Sequence, residues 1–345
     1  MSDTNGTTVV ENIEYKPKDF ATDQDVRWCP GCGDYSILAQ MQRVLPSLGL
    51  RRENIVFVAG IGCSSRFPYY MDTYGFHTIH GRAPAIATGV KVSNPELSVW
   101  VATGDGDLLS IGGNHFIHVL RRNPDINILL FNNRIYGLTK GQYSPTSEVG
   151  KITGSTPYGS LDSPINPVSL ALGADGSFIA RTMDRDPKHL QEMLTRCHQH
   201  KGTSFLEIFQ NCNIYNDGAF FLYTEKDTRD DNVVYLEQDK PLIFGKEKNK
   251  GIRLDGSMPV IVEIGTGEWT ENDLMIHDEK SREKAFILSR FKEMDGLPAP
   301  VGVFLDLDKP IYEDLVYKQI NTVKDKRGVG DLDAVLAGTQ TWEVK

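Results

Sequence analysis

Short runs of consecutive apolar residues alternate with helix-forming segments over roughly the first 220 residues. The apolar runs are rich in β-branched and aromatic residues, as in strands covered on both faces; they lie at residues 55–59, 76–79, 99–103, 126–131 and 205–209. Apolar residues at helical spacing, or a proline suited to a first turn, predict helices at residues 34–45, 84–92, 112–122 and 187–200. This alternation predicts an α/β fold with a doubly wound, mostly parallel sheet.

The pattern divides the chain into three parts. Residues 1–25 contain few apolar residues and are expected to form an N-terminal arm, whereas residues 26–224 carry the strand–helix alternation. From residue 225 onward charged segments become dense, so we expect residues 225–345 to form a C-terminal extension. The extension is predicted to contain a strand at Met258–Glu263, a helix at residues 281–294 and a weakly structured tail after residue 328.

Composition narrows the classes of function. The 345 residues contain 37 Lys and Arg against 46 Asp and Glu, which gives a formal net charge of −9. A general nucleic-acid or anionic-membrane binder needs a cationic surface, so neither partner is expected. No apolar run approaches the ~20 residues of a membrane span, and residues 1–20 lack the apolar segment of a secretory signal. The cytoplasm is therefore the expected location.

Acidic and amide side chains follow two neighbouring strands of the predicted sheet. The motif Gly104-Asp105-Gly106-Asp107 follows the strand at 99–103, and Asn133 follows the strand at 126–131. The glycines let the backbone approach a ligand, although a simple turn explains this motif alone equally well. Because adjacent parallel strands end side by side at the ligand crevice, Asp105 and Asn133 are expected to flank one site. Their oxygens suit Mg²⁺ bound to a diphosphate.

The five cysteines form a second candidate site. Cys29 and Cys32 make a C-x-x-C pair, while Cys63 and Cys212 each follow a predicted strand. An odd number of cysteines without an export signal does not predict a disulfide framework. Four thiolates in loops suit either a [4Fe–4S] cluster or zinc, and a redox-active dithiol would use only the C-x-x-C pair. Cys197 lies inside the predicted helix at 187–200 and is expected to be a small buried apolar residue.

The order of these motifs resembles that of the β subunits of 2-oxoacid:ferredoxin oxidoreductases, most closely the 2-oxoglutarate-dependent type. The resemblance covers roughly residues 25–220. It rests on Cys29-Pro-Gly-Cys32-Gly33, Gly60-Ile61-Gly62-Cys63-Ser64, His80-Gly81-Arg82-Ala83, Gly104-Asp105-Gly106-Asp107 and Asn132-Asn133-Arg134-Ile135-Tyr136-Gly137-Leu138-Thr139. One position departs from many relatives, which have proline after the fourth cysteine where this chain has Asn213.

The resemblance implies three bound groups, namely thiamine diphosphate, Mg²⁺ and one [4Fe–4S] cluster. It assigns Mg²⁺ to the side chains of Asp105 and Asn133 and to the carbonyl of Ile135. It assigns the cluster to Cys29, Cys32, Cys63 and Cys212. The residues implied to bind the thiamine cofactor are Gly62, Cys63, Ser64, Gly104, Asp105, Gly106, Asp107, Asn133, Ile135, Tyr136, Gly137, Leu138 and Thr139.

The implied reaction converts a 2-oxoacid, coenzyme A and oxidised ferredoxin into acyl-CoA, CO₂ and reduced ferredoxin. A 2-oxoacid carbonyl needs a carbanion equivalent, which the thiamine cofactor supplies and no side chain does. The family places the glutamate that activates this cofactor on an α subunit, which also carries the pyrimidine-binding domain. The chain is therefore expected to act only with an α subunit, in an assembly of two αβ pairs, with ferredoxin and coenzyme A as further partners.

Two residues are candidates for contact with the substrate. Arg66 lies three residues after Cys63, and its guanidinium could bind the second carboxylate of a dicarboxylic substrate; a solvated surface arginine is the equal alternative. His80 lies in a glycine-flanked loop after the strand at 76–79. It could contact substrate or diphosphate, although a lone histidine is more often structural.

Other functions share parts of this pattern. The same chemistry could act on pyruvate or a branched-chain 2-oxoacid, in which case Arg66 would not select the substrate. A zinc-binding interaction protein would use the cysteines without the thiamine site. An electron-transfer module without thiamine would use the cluster and leave Asp105 without a catalytic role.

Overall fold

The computed structural model describes residues 14–291, 296–339 and 342 of the chain. Within these residues eleven strands are formed. In chain order they are β1 (Ile55–Ala59), β2 (Tyr74–His77), β3 (Ser98–Gly104), β4 (Ile126–Asn132), β5 (Phe178–Met183), β6 (Ser204–Phe209), β7 (Val233–Leu236), β8 (Ile243–Phe244), β9 (Lys250–Asp255), β10 (Met258–Glu263) and β11 (Ala299–Asp306).

Helices connect most of these strands, and several begin at a side-chain cap. Asn166, Asp186 and Ser281 each accept a backbone N–H of the first turn, which satisfies one of the groups left unpaired at a helix start. The α-helices of the described residues are α1 (Asp34–Val44), α2 (Ala83–Ser93), α3 (Gly113–Arg122), α4 (Pro167–Gly173), α5 (Pro187–Gln199), α6 (Phe221–Thr224), α7 (Lys226–Asn232), α8 (Arg282–Ser289), α9 (Tyr312–Arg327) and α10 (Leu332–Ala337). Short 3₁₀ turns lie at Pro17–Phe20, Leu45–Leu48, Arg52–Asn54, Ser64–Tyr70 and Glu271–Asp273, and a π-turn at Asp107–Ile111.

One large sheet contains most of the strands, in the order β2-β1-β3-β4-β6-β5-β11-β7. The six strands from β2 to β5 are parallel, and β11 runs antiparallel to β5. The predicted α/β class with a mostly parallel sheet is confirmed. The β3–β4 register pairs Gly104 with Phe131, so the two strands end next to each other.

Two apolar cores cover the two faces of this sheet. Alternate residues of a strand point to opposite faces, and β3 shows the consequence. Val99 and Val101 belong to one core with residues of α2, α3 and α8, whereas Trp100 and Ala102 belong to the other with residues of α1 and α5. Burial on both faces explains why the strands are nearly continuous apolar runs.

The boundary predicted at residue 224 does not separate two sheets. β7 and β11 lie after it in the chain, yet both pair within the large sheet. Only β8, β9 and β10 form a separate three-stranded antiparallel sheet. The reason is that β11 completes the hydrogen bonding of β5, which would otherwise expose an unpaired edge.

The parts of both terminal regions that the structure describes contain more structure than the sequence indicates. Residues 1–13 of the predicted arm lie outside the described residues, but Phe20 is fully buried in the core of α1 and α5. The tail after residue 328, expected to be weakly structured, contains α10. The helix predicted at 281–294 is observed as Arg282–Ser289, and residues 292–294 lie outside the described part.

The helix α9 exposes most of its surface. Glu313 is its buried residue, and its carboxylate lies 3.9 Å from the buried Lys91 ammonium. Leu315, Ile320 and Val323 of α9 are exposed, as is Leu332 of α10. No helix in the described ranges is both long and apolar enough to cross a bilayer.

Candidate functional site

A cavity of about 460 Å³ opens at the carboxyl ends of β1, β3 and β4. Every residue predicted to bind the thiamine cofactor lines it, together with His80. The cavity lies where the sequence places a ligand crevice, because neighbouring parallel strands end at the same edge of the sheet.

Asp105 is buried in the wall of this cavity. The hydroxyls of Ser144 and Thr146 lie 2.5 and 2.6 Å from its Oδ2. Burial raises the pKa of this carboxyl, and the two hydroxyl hydrogen bonds oppose the rise. A divalent cation beside Asp105 would offset the same desolvation, so the environment fits a metal ligand.

Asp107 has a different role from Asp105, although both belong to one motif. Its Oδ1 accepts the backbone N–H groups of Ile61 (3.1 Å) and Gly81 (2.7 Å). Its Oδ2 accepts the hydroxyl of Thr103 at 2.7 Å, and His80 Nδ1 lies 2.7 Å from Oδ1. Asp107 therefore ties three segments together at the cavity wall, and its carboxylate lies beside the His80 ring, which reaches the cavity.

The turn after β4 brings the second half of the motif to the same cavity. Asn133 Oδ1 accepts the backbone N–H of Ile135 at 3.2 Å, and the Tyr136 hydroxyl donates to the Gly106 carbonyl at 2.9 Å. A Cβ at position 106 would lie 2.2 Å from the Tyr136 ring, so the close approach requires glycine. Ser64 Oγ is buried in the wall without a hydrogen-bond partner in the described chain. A diphosphate oxygen would satisfy it.

The loops that carry four of the cysteines are joined beside this cavity. Trp28 Nε1 donates to the Cys63 carbonyl at 2.7 Å, and the backbone N–H of Gly33 donates to the Asn211 carbonyl at 3.1 Å. A Cβ at Gly137 would lie 3.4 Å from Cys63 Sγ and 3.6 Å from Cys212 Sγ. The structure thus brings together the loops of Cys29, Cys32, Cys63 and Cys212.

The thiols influence one another electrostatically. Burial, together with the charges of Asp34, Cys212 and Cys29, raises the pKa of Cys63 to about 12. Burial likewise raises the pKa of Cys32. Such thiols need a cation to become thiolates. Among the described residues, no three His, Cys, Asp or Glu side chains are placed to hold a single metal ion.

Zinc and a four-iron cluster differ in how far apart they hold their cysteine ligands. A single zinc ion holds every ligand within about 2.3 Å, whereas a four-iron cluster is larger and keeps its thiolates further apart. Cys63 Sγ and Cys212 Sγ both lie within van der Waals distance of the position that a Cβ at Gly137 would take. Cys197 is fully buried within α5 and apart from this group, as predicted.

A pair of buried carboxyls beside the cysteines had no signal in the sequence pattern. Asp34 begins α1 and lines the cavity, and Asp184 follows β5. Burial, with the Asp184 charge, raises the pKa of Asp34 to about 7, and burial raises that of Asp184 to about 6. Four aspartates directly follow a glycine in the sequence, and that pattern does not tell them apart, so only the folded chain shows that Asp34 is buried here.

Arg66 lies in a second cavity of about 560 Å³ next to the first. The two cavities share Ile61, Gly62 and Leu138 in their walls. No carboxylate forms an ion pair with the Arg66 guanidinium within the described ranges. The side chain is thus available to an anion bound beside the cofactor cavity.

Comparisons with known proteins agree with this geometry. The C-terminal, thiamine pyrophosphate-binding domain of thiamine pyrophosphate enzymes matches residues 60–208. The chain is 50% identical over 333 residues to 2-oxoglutarate oxidoreductase subunit KorB of Mycobacterium tuberculosis, which covers 95% of this chain and 88% of that protein. It is 45% identical over 212 residues to 2-oxoacid:ferredoxin oxidoreductase 1, subunit beta, of Aeropyrum pernix, covering 61% of this chain and 65% of that protein.

A solved structure resembles the chain over almost its whole length. It is the 2-oxoglutarate:ferredoxin oxidoreductase from Magnetococcus marinus, with 2-oxoglutarate, coenzyme A and succinyl-CoA bound. The TM-score is 0.75 at 31% sequence identity, and the match covers 97% of this chain and 98% of that one. With the site geometry and the relatives, this shows that the chain belongs to the β subunits of the thiamine diphosphate-dependent 2-oxoacid:ferredoxin oxidoreductases.

Proposed function

We propose that the chain is the β subunit of a CoA-acylating 2-oxoglutarate:ferredoxin oxidoreductase. The reaction is 2-oxoglutarate, coenzyme A and oxidised ferredoxin to succinyl-CoA, CO₂ and reduced ferredoxin, and it is reversible. One observation carries the proposal. The Asp105–Asn133 cavity and the cysteine group share a wall, since Cys63 and Gly137 line the cavity and Gly137 adjoins Cys63 Sγ and Cys212 Sγ.

The cavity would hold thiamine diphosphate with Mg²⁺. Asp105, Asn133 and the Ile135 carbonyl would hold the ion, while Ser64 and the glycines of the motif would contact the diphosphate. When bound, the cofactor supplies the carbanion equivalent and the electron sink for loss of CO₂. Asp107 keeps the cavity wall in place through its hydrogen bonds to Ile61, Gly81 and Thr103.

Cys29, Cys32, Cys63 and Cys212 would hold the [4Fe–4S] cluster, which takes up single electrons for transfer to ferredoxin. Gly137 lies against both sulfurs, since a Cβ there would come within 3.4 Å of Cys63 Sγ and 3.6 Å of Cys212 Sγ. Asn213 in place of proline would leave ligation by the cysteines unaffected. Its side chain donates to the Pro30 carbonyl at 2.7 Å and not to a thiol.

The Arg66 guanidinium would bind the distal carboxylate of 2-oxoglutarate. Its cavity adjoins the cofactor cavity, and a guanidinium binds carboxylates in bidentate fashion. The Magnetococcus marinus enzyme, which is similar over its whole length, was solved with 2-oxoglutarate bound. Pyruvate and branched-chain 2-oxoacids lack the second carboxylate, so Arg66 would favour the dicarboxylic substrate.

The chain would work with an α subunit that supplies the pyrimidine-binding domain and the activating glutamate. No glutamate lines the cofactor cavity in the described chain, which agrees with a glutamate from another subunit. An assembly of two αβ pairs stays a prediction, and we further predict on family grounds that residues 225–345 contact the partner and cover the cluster. The cytoplasmic location also stays a prediction.

The composition of the αβ complex tests the proposal. Purified without oxygen, it is expected to be brown and to contain iron, acid-labile sulfide and thiamine diphosphate. A colourless complex with stoichiometric zinc would support the zinc-binding alternative and reject ours. Activity that survives Asp105→Ala would support an electron-transfer module without thiamine.

The cysteines allow a matched pair of variants. Cys212→Ser is expected to lower the iron content and the visible absorption. Cys197→Ser removes the buried cysteine of α5 and is expected to leave both at the wild-type level. Equal iron content in the two variants would contradict the assignment of Cys212.

Substrate choice is tested by kinetics. Arg66→Ala is expected to raise KM for 2-oxoglutarate at least about tenfold, the loss of roughly one charge-assisted hydrogen bond, and to leave KM for pyruvate unchanged. Arg27→Ala is the control, since Arg27 lines the same cavity but pairs with Asp25 at 3.2 Å. Faster turnover of pyruvate than of 2-oxoglutarate by the wild type would overturn the substrate assignment.

A further inference from the structure

A row of buried polar side chains crosses the large sheet and ends at Asp105. Arg181 on β5 and Glu207 on β6 are register neighbours, and Arg181 Nε donates to Glu207 Oε2 at 2.7 Å. Both side chains are at most 1% exposed. Such a row is unusual in a sheet whose other positions are mostly apolar.

The row continues to the metal-binding edge through Asn132, the last residue of β4. Asn132 Nδ2 donates to Glu207 Oε1 at 2.7 Å. Because a carboxylate accepts only donors, Glu207 fixes which way the Asn132 amide points. The Oδ1 atom of Asn132 must then point away from Glu207.

The Asn132 oxygen is a junction between the two halves of the site. It accepts the backbone N–H of Arg134 at 3.3 Å, which lies in the turn between Asn133 and Ile135. The Thr146 hydroxyl lies 2.9 Å from the same oxygen and 2.6 Å from Asp105 Oδ2. The Asn132 oxygen therefore contacts two groups next to the proposed metal ligands. One is the Thr146 hydroxyl beside Asp105, and the other is the Arg134 N–H between Asn133 and Ile135.

Packing alone does not hold this junction. A cavity of about 210 Å³ borders the row, and Asn132, Thr146 and Arg181 line it. On the side that faces this cavity, Asn132, Thr146 and Arg181 are held in position by hydrogen bonds rather than by packing. A buried ion pair adds little net stability compared with an apolar pair of similar volume, so stability does not explain the Arg181–Glu207 pair.

We propose that Glu207, held by Arg181, is a positioning residue for the Mg²⁺–diphosphate site, because it fixes the Asn132 amide that supports the metal ligands. This inference rests on the proposed function, in which Asp105, Asn133 and Ile135 hold Mg²⁺. Arg181 keeps Glu207 in place by donating also to the Pro300 carbonyl at 3.2 Å, with its guanidinium 5.1 Å from the ring centroids of Phe209 and Phe304.

Two double variants isolate the acceptor that faces Asn132. Arg181→Met with Glu207→Gln removes both charges but leaves a carbonyl oxygen for Asn132 Nδ2. Arg181→Met with Glu207→Leu removes both charges and the oxygen. Neither leaves an unpaired charge in the interior, and the two differ only at the group that the proposal invokes.

Calorimetric titration of the αβ complex gives the Mg²⁺ affinity at saturating thiamine diphosphate. The leucine variant is expected to bind Mg²⁺ about 10- to 100-fold more weakly, the usual effect of removing a group that orients metal ligands. The glutamine variant is expected to stay within about threefold of wild type, since the acceptor remains. Equal affinities in both variants, whether normal or weakened, would overturn the proposal.

A second pair keeps the test valid if the leucine variant does not fold. Thr146→Val removes the hydroxyl between Asn132 and Asp105 and leaves the ion pair intact, whereas Thr146→Ser retains the hydroxyl. The valine variant is expected to lose Mg²⁺ affinity by about 10-fold or more, and the serine variant to regain it. Normal Mg²⁺ affinity with valine would overturn the proposal.

Wild type and Asp105→Asn separate this inference from the function beneath it. If wild type binds no Mg²⁺–thiamine diphosphate, or if Asp105→Asn binds it normally, the proposed function fails and the inference fails with it. If both behave as proposed while the leucine and valine variants bind Mg²⁺ normally, only the positioning role of Glu207 is rejected.

Discussion

At the scale of single residues, Asp105 and Asp107 show how one motif divides its tasks. Both are buried acids two positions apart. Asp107 has both oxygens engaged with neighbouring segments, whereas the contacts of Asp105 converge on Oδ2. The sequence predicted that both lie at the ligand edge of the sheet. It could not assign their roles, because the donors come from the distant segments of Ile61, Gly81 and Ser144.

The first prediction separates these roles. Asp107→Ala leaves two buried donors and one partly buried donor unsatisfied, and is expected to lower the free energy of unfolding by about 3 kcal/mol. Asp105→Asn replaces a desolvated carboxyl with a neutral amide and is expected to change it by less than about 1 kcal/mol while abolishing Mg²⁺ binding. Urea denaturation and Mg²⁺ titration measure the two effects. Equal destabilisation by both variants would contradict the assignment of a structural role to Asp107 and a metal-binding role to Asp105.

A second prediction concerns pH. Burial lowers the pKa of His189 to about 4, with its Nδ1 2.8 Å from the Thr182 hydroxyl. An unfolded histidine titrates near 6.5, so between pH ~6.5 and ~4 the unfolded state binds more protons. The free energy of unfolding is therefore expected to fall as the pH drops through this window, by about 2.5 kcal/mol from this residue at pH 4.5.

Comparison of wild type with His189→Gln isolates that contribution. Other groups titrate in the same range, including Asp34 and Asp184, whose raised pKa values act in the opposite direction. Their effects cancel in the difference between the two proteins. A difference that is independent of pH from 7 to 4.5 would show that His189 is not buried in the neutral form.

At the scale of elements, the sequence predicted the strands of the N-terminal half better than those of the C-terminal half. The run 55–59 is observed as β1 without change. β11 was missed because Pro300 and Gly302 interrupt its apolar run, and proline and glycine usually mark loops. The structure accommodates both residues: the Pro300 carbonyl accepts from Arg181, and Gly302 lies next to a register shift in the pairing with β5.

The third prediction tests the glycine of β11. Gly302 has φ of 128°, and a Cβ there would lie 2.8 Å from the Leu236 carbonyl oxygen. Gly302→Ala is expected to lower the free energy of unfolding by about 2 kcal/mol or more. The control is Gly89→Ala in the exposed part of α2, where a Cβ meets open space and is expected to stabilise by about 0.5–1 kcal/mol. If Gly302→Ala and Gly89→Ala changed the free energy of unfolding in the same direction, the conclusion that position 302 requires glycine would be contradicted.

At the scale of the whole molecule, the site depends on segments that are far apart in the chain. Strand order alone predicted the meeting of Asp105 with Asn133, since β3 and β4 are consecutive in the chain and neighbours in the sheet. Asp34 and Glu207 could not be assigned in the same way. Their roles depend on α1 and β6, which reach the site through tertiary packing that has no local sequence pattern.

The fourth prediction follows from the proposed binding site. Thiamine diphosphate with Mg²⁺, added to the αβ complex at 100 times the dissociation constant, is expected to stabilise it by about 2.7 kcal/mol. The rise in unfolding temperature should disappear with a chelator of Mg²⁺ or in Asp105→Asn. Thiamine without its diphosphate is the control, and an equal rise with thiamine would show that the diphosphate is not the anchor.

The spacing of the four cysteines also has a consequence for the order of events during protein synthesis. Cys29, Cys32 and Cys63 leave the ribosome early, but Cys212 follows β6, which joins the sheet only by pairing with β4 and β5. A nascent chain therefore carries three of the four proposed ligand thiols for as long as the fourth has not been made. Insertion of the proposed cluster must come after translation of most of the chain, and a cell that makes this subunit needs to keep those three thiols reduced until then.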